Sequence, residues 1–386
     1  MDASLFISRR LRFKGGIAMV SIAVSFLVMI VAVSVSAGFR HEIRKGVSDM
    51  IGDVQIVPPD QNMLDESSPI ESRPAYLSSV MALECVQDVR PVIYRAGIVK
   101  HEDNIHGVLL KGVSSSWESL KVSVPERLAA ITGLGVEDRM LTYFIGEKVK
   151  PRQFTISDVH EAPVMTDENM VVYAGINDLQ RVAGWNDGQV SSLEVILKPE
   201  YRDNESIMEC TREIGSTINA FSSEDEAPVI AVSSVSRYPQ LFGWLDLIDF
   251  NVFFILVLMT IVAGFNMISG LLIMLFENIS TIGLLKSLGM TDRAIAKVFL
   301  SSSAVLVFKG MLAGNIIALL FCAVQSWTHL IPLDPENYFV SFVPMHMNIA
   351  AILGADIAAF LVIMLLLLIP SLFISRVDPA RTVRVN

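Results

Sequence analysis

The sequence predicts a membrane protein with four transmembrane helices, one plus three, and a large α+β extracytoplasmic domain between the first and second. Three observations carry this reading. Four apolar runs each reach the roughly 20 residues that a helix needs to cross a bilayer. Only 18% of the 386 residues are charged, below the usual quarter of a soluble domain. The charge is also unevenly spread. Residues 46–249 hold 32 acidic and 16 basic side chains, whereas the rest of the chain holds 8 and 14. The acidic middle is a solvated domain and the basic remainder flanks the apolar runs. An acidic domain excludes nucleic acid as a partner, because phosphate recognition needs clustered Lys and Arg.

The first apolar run has 25 uncharged residues between Lys14 and Arg40. A cleaved signal peptide is the rival reading, with Val35-Ser36-Ala37 as a loose cleavage site. Its apolar region would be only about 7–15 residues, so an uncleaved helix is preferred. The second run is Phe250–Phe276, without a charge. The third extends from Val298 to Trp327, interrupted by Lys309. The fourth extends from Ile349 to Ile374, with Asp356 near its start. The expected segments are therefore a terminal stretch (1–14), the first helix and its extension (15–44), the polar domain (45–245) and the second helix (246–276). A connecting segment (277–291), the third helix (292–327), a loop (328–348), the fourth helix (349–375) and a tail (376–386) complete the chain.

Orientation follows from Lys and Arg in the short loops. Arg9, Arg10, Arg12 and Lys14 precede the first helix; Lys286, Arg293 and Lys297 lie between the second and third; Arg376, Arg381 and Arg384 close the chain. The loop after the third helix has no Lys or Arg. Both termini are expected in the cytoplasm and the polar domain outside.

Within that domain, Val92–Lys100 and Ile105–Val113 read as strands joined by a turn, as do Leu141–Ile145 and Gln153–Val159. Met170–Tyr173, Ser192–Leu197 and Val229–Val232 are further strands. Pro125–Ile131, Ile176–Ala183 and Tyr201–Ile218 read as helices. Cys85 and Cys210 share the domain and can pair if it is exported, but spacing does not decide this.

No Gly-x-x-x-x-Gly-Lys-Ser/Thr loop is present, so the chain is not expected to hydrolyse ATP by that mechanism. There is no His-Glu-x-x-His or Cys-x-x-Cys, and the six histidines are scattered. His101 and His106 flank a turn and read as an ordinary exposed pair rather than a metal site. No catalytic residues and no metal ligands are expected.

The segment after the second helix is the most informative. Ile279, Ile282, Leu285 and Leu288 recur at helical spacing. Gly289 reads as a helix terminator and Thr291 as the cap of the third helix, with Asp292 in its first turn. Such a short helix either lies on lipid or docks into a groove of a cytoplasmic partner. Lys309 either snorkels or faces protein or water. Gly310 and Gly314 permit close helix contact, inside the bundle or with a second protomer.

The whole chain resembles the FtsX-like permeases, and within them the LolC/LolE type of lipoprotein-releasing permease. The resemblance rests on the one-plus-three order and on local stretches. These are Phe6-Ile7-Ser8-Arg9-Arg10-Leu11-Arg12, Gly38-Phe39-Arg40-His41-Glu42-Ile43-Arg44, Val262-Ala263-Gly264-Phe265-Asn266-Met267-Ile268-Ser269, Ile282-Gly283-Leu284-Leu285-Lys286-Ser287-Leu288-Gly289-Met290 and Arg376-Val377-Asp378-Pro379-Ala380-Arg381. Gly107–Val113 and Gly184-Trp185-Asn186-Asp187 look like LolC-type proteins of Bacteroidetes-like bacteria. Glu277-Asn278-Ile279-Ser280 departs from a more basic family stretch.

The resemblance implies a permease subunit of an ABC transporter in a bacterial inner membrane. Its expected partners are a separate LolD-like ATPase that holds ATP and Mg, and a second permease chain, identical or paralogous. A lipoprotein substrate, membrane lipid and a LolA-like periplasmic chaperone complete the set. This chain itself would bind no cofactor. Contact with the ATPase is expected at Glu277, Ile279, Ile282, Leu285, Lys286, Leu288 and Gly289. A lipid-substrate lining is expected at Phe26, Phe253, Phe254 and Met259. The hairpin tip with Gly146, Glu147, Lys148, Val149, Lys150 and Pro151 stands where the family carries its chaperone hook. The alternative is a related MacB-like permease for peptides or drugs, or one that regulates a cell-wall hydrolase.

Overall fold

The computed structural model describes residues 16–59, 68–101, 104–113, 118–144, 149–162 and 170–371. Among them are four helices long and apolar enough to cross a membrane: α1 (Gly16–Ile51), α7 (Pro239–Glu277), α9 (Asp292–Thr328) and a fourth over Ile349–Ser371. The fourth is kinked into α11 (Ile349–Leu366) and α12 (Leu368–Ser371). The shorter helices are α2 (Leu77–Met81), α3 (Glu126–Thr132), α4 (Ile176–Ala183), α5 (Asn204–Phe221), α6 (Ser234–Arg237), α8 (Ile279–Ser287) and α10 (Pro335–Tyr338). The strands are β1 (Val54–Val57), β2 (Ile70–Glu71), β3 (Val86–His101), β4 (Asn104–Val113), β5 (Lys121–Pro125), β6 (Arg139–Phe144), β7 (Lys150–His160), β8 (Val171–Gly175), β9 (Gln189–Val190), β10 (Ser192–Leu197) and β11 (Ile230–Ser233).

The chain divides into two units. One comprises residues up to Arg40, Trp244–Pro332 and the chain from Phe342 onward; the other comprises His41–Gly243 with Leu333–Ser341.

The helical unit packs Ile22, Phe26 and Met29 of α1 against Ala263, Met267 and Leu271 of α7, Phe299 and Val307 of α9, and Ala359 and Ile363 of α11. The Gly310/Gly314 pair serves this bundle. A Cβ at Gly314 would stand 2.4 Å from the Ala23 carbonyl oxygen, and one at Gly310 would stand 2.8 Å from Ile22 Cγ2. The two glycines therefore seat α1 against α9 within one chain. Toward the other end of α1, Ser36 Oγ donates to Asp249 Oδ1 of α7 at 2.6 Å, and Arg40 pairs with the same carboxylate. Phe39 meets Trp244 edge to face.

In the second unit, nine strands form one sheet in the order β11-β1-β10-β3-β4-β8-β5-β7-β6. The sheet curls until β6 also pairs with β3, through Ile98↔Tyr143 and Val99↔Thr142. Gly97 permits that closure, because a Cβ there would meet Thr142 Cγ2 at 2.8 Å and Leu110 Cδ1 at 2.9 Å. One hydrophobic core joins the sheet to α2, α4 and α5, with Val80, Leu179, Ile207 and Ile214 buried. β1 and β11 lie side by side at one edge of the sheet.

The expected strands and helices of this unit are present, two of them with the expected bounds, Ser192–Leu197 and Ile176–Ala183. The first helix runs on to Ile51, past the expected end at residue 44. It is terminated by Gly52 at φ +77°, whose N–H bonds to the Ser48 carbonyl.

Candidate functional site

The segment between α7 and α9 folds as its residues dictate. Asn278 interrupts the helix, with its side chain returned to the Met274 carbonyl at 2.9 Å. α8 follows and ends in a left-handed Gly289 at φ +88°. Met290 N–H bonds to Leu285 O and Gly289 N–H to Lys286 O, both at 3.0 Å. Those two bonds make the Schellman pair that a glycine terminator allows. Thr291 Oγ1 accepts from Ala294 N–H and Asp292 stands in the first turn of α9, which satisfies an orphan donor and suits the helix dipole.

α8 divides its side chains differently from the sequence expectation. Ile282 is 1% exposed and belongs to the bundle's own core, with Leu285 packed against it. The residues turned out to the surface are Ile279, Leu284 and Leu288, the last 75% exposed. Ile282 therefore stabilises the bundle and is corrected from an outward-facing residue to an inward one, while Leu284, outside the expected set, is exposed. The helix is apolar on more than one side, so spacing alone did not separate the faces. Lys286 is paired with Asp292 at 2.9 Å, which ties the end of α8 to the start of α9. Glu277 is the last residue of α7 and is exposed. Beside this corner, a cleft of 560 Å³ is lined by Arg293, Lys297, Leu300, Met364 and Leu368 among others.

The four residues expected to line a lipid site do not come together. Phe253 and Phe254 are 63% and 61% exposed on α7, and Met259 is half-buried on the same helix. Phe26 is fully buried and lies against Gly314. It is corrected to a core residue of the α1–α9 contact, because the absence of a side chain at Gly314 lets the Phe26 Cβ come within 3.0 Å of where one would begin. Of the hairpin tip, Gly146, Glu147 and Lys148 lie outside the described residues. Val149 is exposed, Lys150 Nζ donates to the Val182 carbonyl at 3.0 Å, and Pro151 pairs across the hairpin with Tyr143.

Two polar features belong to the long helices of the helical unit. Asn315 Nδ2 of α9 donates to Asp356 Oδ2 of α11 at 2.5 Å, and Asp356 is buried. Lys309 is exposed on the outside of its bundle and makes no ion pair among the described residues. Neither residue pairs with the other.

The sequence reading missed a third feature. Lys111 on β4 is 3% exposed and meets the 2% exposed Glu194 of β10 at 2.8 Å. The same ammonium donates to the carbonyls of Met50 at 2.8 Å and Asp49 at 3.2 Å, the last carbonyls of α1. Tyr94 Oη donates to Glu194 and lies 3.2 Å from Met50 O. A cation at a helix C-terminus is favourable. Burial pushes the Glu194 carboxyl up, against the pull of Lys111 and Tyr94. Beside them, Asp53 accepts from Leu197 N–H at 2.8 Å and from Arg202 at 3.3 Å. Together these groups fasten the end of α1 to the sheet. The one signal in the sequence was a lysine within an apolar strand, Val108–Val113.

Residues 253–379 match the FtsX-like permease C-terminal family. The class this similarity points to is that of the FtsX-like permeases, and the matched stretch includes the whole corner from Asn278 to Asp292. Its likeness over nearly full length is to LolC. It is 20% identical to the lipoprotein-releasing system transmembrane protein LolC of Xylella fastidiosa (strain 9a5c), over 97% of this chain and 95% of that protein. It is 24% identical to the same-named protein of Neisseria meningitidis serogroup B, over 97% and 96%. Among solved structures, the periplasmic region of MacB from Actinobacillus actinomycetemcomitans matches 50% of this chain and 95% of its own length, at 12% identity and a TM-score of 0.32.

Proposed function

We propose that this chain is the permease of an ABC transporter that extracts lipoproteins from the inner membrane, powered by ATP hydrolysis in a separate subunit. The observation that carries the reading is collinearity with LolC proteins over 97% of the chain, membrane helices and outer domain included. In this reading both termini and α8 face the cytoplasm, as the Lys and Arg of the short loops indicate. Ile279, Leu284 and Leu288 are the anchors offered to an ATPase groove. ATP and Mg are held by that ATPase. A second permease chain completes the path, and a LolA-like carrier receives the product at the β6–β7 hairpin.

The route from ATPase to outer domain follows the residues already described. Displacement of α8 acts on α9 through Lys286–Asp292 and on the bundle core through Ile282. α1 is packed in that core, and its far end is held by Lys111, Tyr94 and Glu194. A shift of α1 along its axis is thus delivered to β4 and β10.

The test is purification of the chain with its native partners, followed by reconstitution in liposomes with a triacylated lipoprotein. ATP-dependent release of the lipoprotein supports the reading. An ATPase-bearing complex that hydrolyses ATP but releases no lipoprotein, and instead exports a peptide or drug or activates a wall hydrolase, would replace it with the MacB-like alternative.

A further inference from the structure

Two cysteines of the outer unit stand together. Cys85 lies immediately before β3 and Cys210 in the middle of α5. Both belong to one hydrophobic core, at 2% and 4% exposure. The Cys210 and Cys85 thiols are neighbours within that core. Lys198 N–H bonds to the Cys85 carbonyl at 2.9 Å, and a single turn at Pro199–Tyr201 then leads into α5. α2, just before Cys85, packs on α5. Two neighbouring thiols whose elements pack on each other are placed for a bond between them.

We propose that Cys85 and Cys210 form a disulfide in the mature protein, and that this bond closes the sheet of the outer unit on itself. The proposal rests on the reading that this unit is exported, since disulfides persist in oxidising compartments and not in the cytosol. The chemistry balances with an extracytoplasmic disulfide oxidant of the thiol–disulfide exchange class. The Cys85 thiolate attacks one sulfur of the oxidant disulfide and expels the other as a thiolate. The Cys210 thiolate then attacks Cys85 Sγ and expels the second. Two thiols lose two protons and two electrons, and the oxidant becomes a dithiol. In the folded unit, burial and the neighbouring Cys85 push the Cys210 thiol up to about 12. Both sulfurs are buried once folded, so the exchange belongs to the stage before α5 docks.

The position of the bond gives it a role. The loop it closes runs from residue 85 to residue 210 and contains β3 to β10. The strands left outside are β1, which follows α1, the two-residue β2, and β11, which precedes α6 and α7. The segment that carries β3 to β10 becomes a covalent ring, while β1 and β11, which adjoin the long helices in sequence, stay outside it.

The experiment uses the full chain in membranes from cells that export it. Free thiols are blocked with an alkylating agent under denaturing, non-reducing conditions, and the digest is mapped by mass spectrometry. The expected result is one linked peptide pair containing Cys85 and Cys210, two hydrogens lighter than the reduced pair, with Cys322 alkylated as the internal control. Alkylation of Cys85 and Cys210 before reduction would overturn the proposal. A protease added to intact spheroplasts separates the causes of failure. Digestion within residues 41–243 together with two free thiols defeats the disulfide alone. Protection of those residues defeats the exported reading and the disulfide with it.

Discussion

The Lys111 ammonium lies 2.8 Å from the Glu194 carboxylate, with both side chains almost fully buried, and it caps the last carbonyls of α1 at the same time. Breaking a buried pair from one side leaves an uncompensated charge and costs about 3–5 kcal/mol, whereas replacing both partners by apolar groups is often neutral. Glu194→Ala is therefore expected to destabilise the outer unit by that amount, and Lys111→Met/Glu194→Leu to recover most of it. The double variant still lacks the cap on Asp49 and Met50. It should fold, yet lose substrate release relative to ATP hydrolysis. Denaturant unfolding and the release-to-hydrolysis ratio read the two effects separately. Equal loss of stability in the single and double variants would count against a charge pair.

The α8 corner makes a contrasting pair of predictions. Leu288→Asp replaces a residue 75% exposed and should leave the fold intact while weakening ATPase binding. Loss of a central anchor is worth about 2 kcal/mol, roughly thirtyfold in Kd. Ile282→Ala, at 1% exposure, should instead cost about 2–5 kcal/mol of bundle stability. Lys286→Ala should cost no more than about 1 kcal/mol, since the pair with Asp292 is partly exposed. Co-purification of the ATPase and thermal unfolding in detergent distinguish binding from folding. Unaltered ATPase binding in Leu288→Asp would sink the coupling role.

At the α1–α9 contact, Gly314→Ala meets a backbone carbonyl oxygen at 2.4 Å. A side chain cannot swing clear of backbone, so the helices must separate and the bundle lose packing along their length. Gly354→Ala, with nothing within 4 Å, should be silent. The predicted order of melting temperatures is wild type equal to Gly354→Ala, with Gly314→Ala lower.

His160 supplies a pH dependence. Its Nδ1 lies 2.7 Å from Ser123 Oγ and its ring lies against Tyr173 at 4.8 Å. Burial lowers its proton affinity below the ordinary value near 6.5, more than Asp158 and the Val171 backbone restore it. Below about pH 6.5 the unfolded chain takes up a proton that the folded chain refuses. Stability is therefore full above that pH, falls as pH drops toward the folded value, and levels off beneath it. His160→Gln should remove this loss, so the difference between variant and wild type shrinks or reverses from about pH 7 to about pH 5.5. Parallel pH curves for the two would contradict the assignment.

The membrane helices were legible because apolar length is a one-dimensional property, and the caps at Gly289 and Thr291 because they depend on adjacent residues alone. The hairpin of β3 and β4 was legible for the same reason. Which side of α8 faces the bundle was not, because Leu and Ile occur around the whole helix and only the arrival of α9 decides. Phe26 was misread by the same logic: an aromatic in a membrane helix is lipid-facing or buried according to a glycine almost three hundred positions away. The Lys111–Glu194 pair joins two strands far apart in sequence, and no local signal reports such a meeting. β1, β2, β5 and β9 are short, and they draw their identity from the neighbours they pair with rather than from alternation of their own.

The edge pair β1–β11 has a mechanical consequence. The two strands are antiparallel, with Val54 opposite Ser233, and Ser234 N–H bonds to the Asp53 carbonyl at 2.9 Å just beyond. Val54 follows α1 and Ser233 precedes α6 and α7, so both strands are held from the same end of the ladder. Any tension that draws those two ends apart loads the hydrogen bonds one rung at a time, beginning at Asp53–Ser234, like the teeth of an opening zip. Strands pulled from opposite ends would share the load across all rungs and resist as a block. This edge is thus a low-force release, able to part by a rung or two and close again, beside the Lys111–Glu194 anchor that passes a pull on α1 to β4 and β10.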